Sequence, residues 1–139
     1  MSTSAPAFRW TERYSVHIAV LDRQHQGLFD AINELNAALA SGEGSAVADP
    51  ILKKLVDYAL THFSSEEVLM TEYEFPGLST HRMEHQKFAE AVTKFLDDYH
   101  AGKRGVPVSL LLFLQTWWKE HILVADKAYS SFLNARGVR

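Results

Sequence analysis

Seven side chains of metal-binding type fall into packets along this sequence: His25 alone, His62 with Glu66, His81 with His85, and His121 with Asp126. A four-residue step turns an α-helix by about 400°, so His62 and Glu66 share one face, about 40° apart, as do His81 and His85. Each pair can grip one small object. The step from His121 to Asp126 is five residues, which separates the two by about 140° on a regular helix. Both reach one site only if the helix widens or breaks between Ile122 and Ala125, and that irregularity is expected. One histidine taken alone is more often a satisfied core or surface residue than a ligand. Five histidines with two carboxylates, spread over four predicted helices, favour the opposite reading, a two-metal site inside a helical bundle. With no cysteine in the chain, thiolate zinc sites, iron–sulfur clusters, disulfides and cysteine nucleophiles are all excluded. Any metal must take nitrogen and oxygen ligands.

Four helices must position these packets. Leu21, Leu28, Ile32, Leu35 and Leu39 recur at three- and four-residue intervals, predicting a first helix over about 22–41 that ends at Ser41-Gly42-Glu43-Gly44-Ser45. Asp49-Pro50 offers an N-cap with proline at the first helical position, and Leu52, Leu55, Val56, Ala59, Leu60 and Phe63 carry a second helix toward Tyr73. Phe75-Pro76-Gly77 breaks it. Ser79 or Thr80 can cap the third, in which Met83, Phe88, Val92 and Phe95 lead to Ala101-Gly102, and Met83 is expected to face inward. The fourth starts near Val108. Its run from Leu110 to Leu114 with Trp117 and Trp118 is dense enough that burial on most sides is expected. Short connections favour antiparallel neighbours, so the expected fold is an all-α, up-down-up-down four-helix bundle. Residues 1–20, with Pro6, Phe8, Trp10 and Tyr14, lack a helical period and are expected to pack across it as an arm.

At 139 residues the chain fits one domain, residues 1–139, and folding at this size buries roughly two-thirds of the unfolded surface. A net charge of −3 and the lack of a basic run argue against nucleic acid or an anionic membrane as partner. Neither a secretory leader nor a membrane span is recognisable, so a cytoplasmic location is the expectation. His17 and His100 fit no packet, and are read as a structural residue of the arm and a solvated helix end. Glu67 projects about 100° away from Glu66, toward the surface or an outer layer around the metals.

These residues resemble the hemerythrin family, and more closely its bacterial members. The resemblance spans nearly the whole chain: Trp10; Asp22-Arg23-Gln24-His25-Gln26 with Leu28 and Phe29; His62-Phe63-Ser64-Ser65-Glu66-Glu67 with Met70; His81 through His85; and Trp117 through His121-Ile122 with Asp126 and Tyr129. It implies two iron ions joined by an oxo or hydroxo bridge. By the same resemblance His81, His85 and His121 hold one iron, His25 and His62 the other, and Glu66 and Asp126 bridge both. That ligand set leaves one position of two octahedral irons open, on the two-histidine side. Reversible dioxygen binding for storage, delivery or sensing is the function this implies. Leu28, Phe63, Trp117 and Ile122 match the family's ligand pocket, although each alone reads equally well as bundle core. Trp118 stands where the family usually has leucine, and its indole either narrows the pocket or turns outward over an entrance.

An enzyme acting on peroxide, nitric oxide or Fe²⁺ is the competing reading, and a structural metal site or a metal-free bundle a third. No Glu-x-x-His motif repeats on two helices here, as it does in carboxylate-rich di-iron oxidases, and no acid or base is evident beside the open position other than Tyr129. A binding protein rather than an enzyme is therefore expected. A protein partner is possible but not readable from the residues.

Overall fold

The computed structural model describes residues 8–41 and 45–139, with side chains from Asp49 onward in the second stretch. It places helices α1 (Ala19–Ala40), α2 (Ser45–Glu72), α3 (Leu78–His100) and α4 (Val106–Glu120). A π-helical segment, His121–Asp126, continues α4 and leads without a break into α5 (Lys127–Asn134). α1 packs against α2 and α4, and α3 packs against the same two, so each lies beside two neighbours. The result is the expected antiparallel bundle, in which α4, the π segment and α5 form the fourth rod.

Apolar residues at helical spacing explain this packing. Leu21, Leu28, Ile32 and Leu35 of α1 are fully buried, and burial of a large apolar side chain contributes roughly 1.5–3 kcal/mol. α1 and α2 approach closely because Gly27 has no side chain; a Cβ there would run into the phenol of Tyr58. The core has two parts. The larger joins Phe29, Ile32, Leu55, Phe88, Leu114 and Trp118. The smaller joins Val16, Ile18, Leu21, Met70, Tyr129 and Leu133. Along α1, His25 lies between Leu21 of the smaller cluster and Leu28 of the larger, and Glu66 on α2 lies likewise between Met70 and Phe63.

The described part of the arm packs on the bundle as expected, around a 3₁₀ turn at Glu12–Tyr14. Phe8 exchanges two hydrogen bonds with Asn33, its N–H donating to Oδ1 at 2.9 Å and its carbonyl accepting from Nδ2 at 2.6 Å. Asp22, in the first turn of α1, accepts from the Ser15 hydroxyl at 2.6 Å and the Val16 N–H at 2.8 Å, where a carboxylate also suits the helix dipole. From the far side Lys127 Nζ donates to the Ser15 carbonyl and the Ser130 hydroxyl to the Val16 carbonyl. His17 turns the chain at φ 56°, with its side chain exposed. Its role is that of a backbone corner.

Four expectations are corrected. α2 begins at Ser45, so Pro50 lies inside the helix, in its second turn, rather than at its first position, where its missing N–H costs one i→i−4 backbone bond. Gly77, not Ser79 or Thr80, precedes α3, and no side chain caps it. α4 buries one face only, because among the described residues α1 and α3 flank it and its outer face is left open: Val108 is 53% and Leu112 59% exposed. Met83 is 53% exposed, since α3 turns its His81–His85 face inward and residue 83 stands opposite.

Candidate metal centre

All five packet histidines and both carboxylates converge in the bundle, on α1, α2, α3 and the π segment. His25, His62, Glu66 and Asp126 have no exposed surface, and His81, His85 and His121 only 3–4%. The π segment covers the interval predicted to be irregular. Its i→i+5 repeat is wider than an α turn and brings His121 and Asp126 to the same side. His121 Nε2 lies 3.1 Å from Asp126 Oδ1.

The carboxylate oxygens divide the imidazoles into two groups. Glu66 Oε2 lies 3.1 Å from His62 Nε2 and 3.5 Å from His25 Nε2, and Asp126 Oδ2 lies 2.9 Å from His25. Glu66 Oε1 lies 3.2 Å from His85 Nε2 and 3.5 Å from His81 Nε2. Asp126 Oδ1 lies 3.1 Å from both His81 and His121. Each carboxylate therefore gives one oxygen to a two-histidine half and the other to a three-histidine half. Either half offers ligand atoms close enough for a metal ion: His25, His62, Glu66 and Asp126 in one, Glu66, His81, His85 and His121 in the other.

These close pairs do not have hydrogen-bond geometry. Nε2 of all five histidines, Glu66 Oε1 and both Asp126 oxygens are buried without a hydrogen-bond partner. Buried polar atoms left this way are costly, at roughly 1–3 kcal/mol each. Lone pairs converging on a common point are what a metal ion needs, so the residues fit the two ions that the donor set implies.

The outer ring nitrogens are held from the next helix. His62 Nδ1 donates to Gln24 Oε1 at 2.7 Å, His85 Nδ1 to Glu67 Oε2 at 2.7 Å, and His121 Nδ1 approaches Glu84 Oε1 at 3.3 Å. A carboxylate or an amide oxygen can only accept here, which puts the proton on Nδ1 and leaves the Nε2 lone pair facing inward. Glu67 also takes a bond from Arg82 Nε at 3.1 Å. Spacing alone gives no role to Gln24 or Glu84, and sets Glu67 either at the surface or in an outer layer around the metals. A signal was present, for each directly adjoins a packet residue: Gln24 beside His25, Glu67 beside Glu66, Glu84 beside His85.

The charge balance of the metal-free centre follows from its burial. Desolvation pulls His25 and His81 down, but contacts with Asp126 and Glu66 outweigh it and raise them to about 9 and about 10. His121 is raised too, burial being overcome by Asp126. For His62 burial wins, and its value is lowered. Burial alone would raise Glu66, yet His62, His25 and His81 hold it well below the ordinary carboxylate range. Asp126 is lowered against both burial and the charge of Glu66, chiefly by His121. The Tyr129 hydroxyl donates to Glu66 Oε2 at 2.6 Å. Burial first, then the nearby carboxylates, push the phenol well above its usual value, so it keeps its proton.

Leu28, Ile122 and Trp118 are fully buried, Phe63 is 4% exposed, and Trp117 is half-buried. Phe63 stacks on His85 with ring centres 3.8 Å apart, and Trp117 on His121 at 4.3 Å. Of the two orientations considered for Trp118 the inward one is found. Its ring centre lies 5.7 Å from His62, 6.4 Å from His25 and 6.2 Å from His121. His100 is exposed at the end of α3. An open groove of about 770 Å³ between α2 and α3 is lined partly by Phe63, Glu67, Arg82 and His85. No described helix is long and apolar enough to cross a membrane.

Comparison with known proteins gives a consistent answer. The family described as the Hemerythrin HHE cation binding domain matches residues 16–133. A bacteriohemerythrin of Methylococcus capsulatus is 31% identical over 127 residues, covering 91% of this chain and 96% of the relative. One from Pseudomonas aeruginosa is 32% identical over 120 residues, covering 86% and 77%. A crystal structure of wild-type hemerythrin superposes with a TM-score of 0.84 at 28% identity, covering 90% of this chain and 96% of the other. With its ligand-type residues gathered as the fold requires, the chain belongs to the hemerythrin family.

Proposed function

We propose that this protein reversibly binds dioxygen at a non-heme di-iron centre, as one domain serving oxygen storage, delivery or sensing. The observation that carries the proposal is the division of carboxylate oxygens: Glu66 and Asp126 each present one oxygen to each group of histidines. Glu66 and Asp126 would bridge two irons, with His25 and His62 on one and His81, His85 and His121 on the other. When bound, the iron pair supplies the electrons and the open coordination position that dioxygen binding needs, with an oxo or hydroxo bridge joining the metals.

The chain's own residues supply orientation and dryness. Gln24, Glu67 and Glu84 fix the imidazole tautomers, and Leu28, Phe63, Trp117, Trp118 and Ile122 wall the centre from water, which protects a bound gas from release as peroxide. Binding is favoured over turnover with peroxide, nitric oxide or Fe²⁺ because Tyr129, the best acid–base candidate, already donates its proton to Glu66.

The test is an anaerobic titration of metal-free protein with Fe²⁺, then admission of air, then sparging with argon. Colour that saturates at two irons per chain and bleaches on sparging is expected. Persistent ferric bands with released peroxide would replace the proposal by redox enzymology.

A further inference from the structure

Among the described residues, the buried side-chain polar atoms that lack a hydrogen-bond partner belong to the ligand positions, with one exception: Trp118 Nε1. The residue has no exposed surface, so water from bulk does not satisfy this donor. Its ring packs against both imidazoles of the two-histidine half and lies 5.4 Å from Phe63, nearly parallel, and 5.5 Å from Phe88. Of the three-histidine half it meets His121 alone, edge-on at 6.2 Å, whereas it meets both histidines of the other half. The other proposed wall residues at this depth, Leu28, Phe63 and Ile122, carry no donor at all. A buried indole N–H normally finds a partner, and an unpaired one in a native interior calls for a further occupant.

We infer that the Trp118 N–H is the protein's hydrogen-bond donor to the external ligand of the two-histidine half, which must then carry a terminal lone pair. An aliphatic wall would strip the bound species of its hydrogen bonds to water and return none. The indole returns one. The inference rests on the di-iron reading above and adds the chemistry of the ligand that its open side selects.

Azide is a suitable probe, since it is small, anionic and ends in lone pairs. The full-length protein is loaded with iron, oxidised and titrated with azide, recording the dissociation constant and the bound-azide stretch in H₂O and D₂O. Trp118→Phe keeps an aromatic ring and removes the donor. With two irons retained, it is expected to weaken azide binding about tenfold, in keeping with loss of one hydrogen bond to a charged acceptor. The D₂O shift of the bound-azide band seen in the wild-type protein is expected to disappear with it. Wild-type affinity together with an unchanged isotope response would overturn the inference. So would a bulk effect alone, in which Trp118→Leu alters binding while Trp118→Phe matches wild type. Should Trp118→Phe fail to hold iron, the wild-type band decides, and no isotope shift there overturns the assignment. Failure of the wild-type chain to take up two irons is a separate result, which overturns the di-iron reading and this inference together.

Discussion

The two halves of the centre share their carboxylates and differ in what stands behind their histidines. In the three-histidine half His85 and His121 face Glu67 and Glu84, anionic side chains that extend toward solvent at 25% and 43% exposure. In the two-histidine half His62 faces the neutral amide of Gln24, and among the described residues His25 Nδ1 has no hydrogen-bond partner. Anionic partners make an imidazole a stronger donor and stabilise added positive charge on its metal. On the proposed reading the first half would hold its metal the more firmly, and the second, with a neutral outer partner, would be the side that takes the external ligand. Asymmetry in the outer layer matches asymmetry in ligand number.

The harshest challenge to this picture removes what the halves share. Glu66→Ala is expected to lose both metals, because either half takes an oxygen from that carboxylate, whereas His62→Ala should empty one half and leave the other filled. Iron counted per chain separates the cases, and equal losses in the two variants would refute the bridging role.

Acid offers a second challenge that needs no mutation. His25 and His81 hold protons in the metal-free protein up to about 9 and about 10, and metal must expel them. Apparent affinity should therefore fall about tenfold for each proton displaced and each unit of pH lowered through the neutral range. Competition with a chelator from pH 8 to pH 6 measures it, and a flat profile would contradict the protonated centre. The stability of the metal-free fold runs oppositely. A histidine raised above 6.5 stabilises the fold fully below that value and loses the contribution as pH climbs through about 9 to 10. The melting temperature of metal-free protein should drop over that window, and that of loaded protein should not.

A finer test exchanges the outer partners. Glu67→Gln should weaken metal binding in the three-histidine half by about 10–100-fold, the usual effect of an outer-layer change. Gln24→Glu should strengthen the other half and narrow the difference between them, as read by stepwise metal release to a chelator. If Glu67→Gln and Gln24→Glu move the same half, the comparison collapses. The smallest effect belongs to His100→Ala: exposed and remote, it should leave metal content unchanged and stability within about 0.5 kcal/mol.

Much of this was legible because helices impose a period. The i,i+4 packets announced which faces turn inward, and the five-residue gap between His121 and Asp126 required a widened turn that is present. The outer partners were hidden for a physical reason. Gln24 serves a histidine on α2, Glu67 one on α3 and Glu84 one on the fourth rod, so each pairing crosses to a neighbouring helix, whereas a periodicity speaks only of its own. Met83 and Leu112 misled for the related reason that hydrophobicity was taken for burial. Trp118 stands three residues before His121, a spacing that sets it near the same helix face but cannot choose its rotamer.

The π segment has an effect that reaches beyond the metals. One extra residue in a turn acts as a phase shift in a periodic chain. Upstream, Leu110, Leu114 and Trp118 keep time with the larger core; downstream, Tyr129 and Leu133 keep time with the smaller one, against the arm. A single unbroken helix has one phase and would address one of them well. By slipping its register at the centre, the fourth rod serves both, so the dislocation that brings Asp126 to the buried histidines also welds the arm to the bundle.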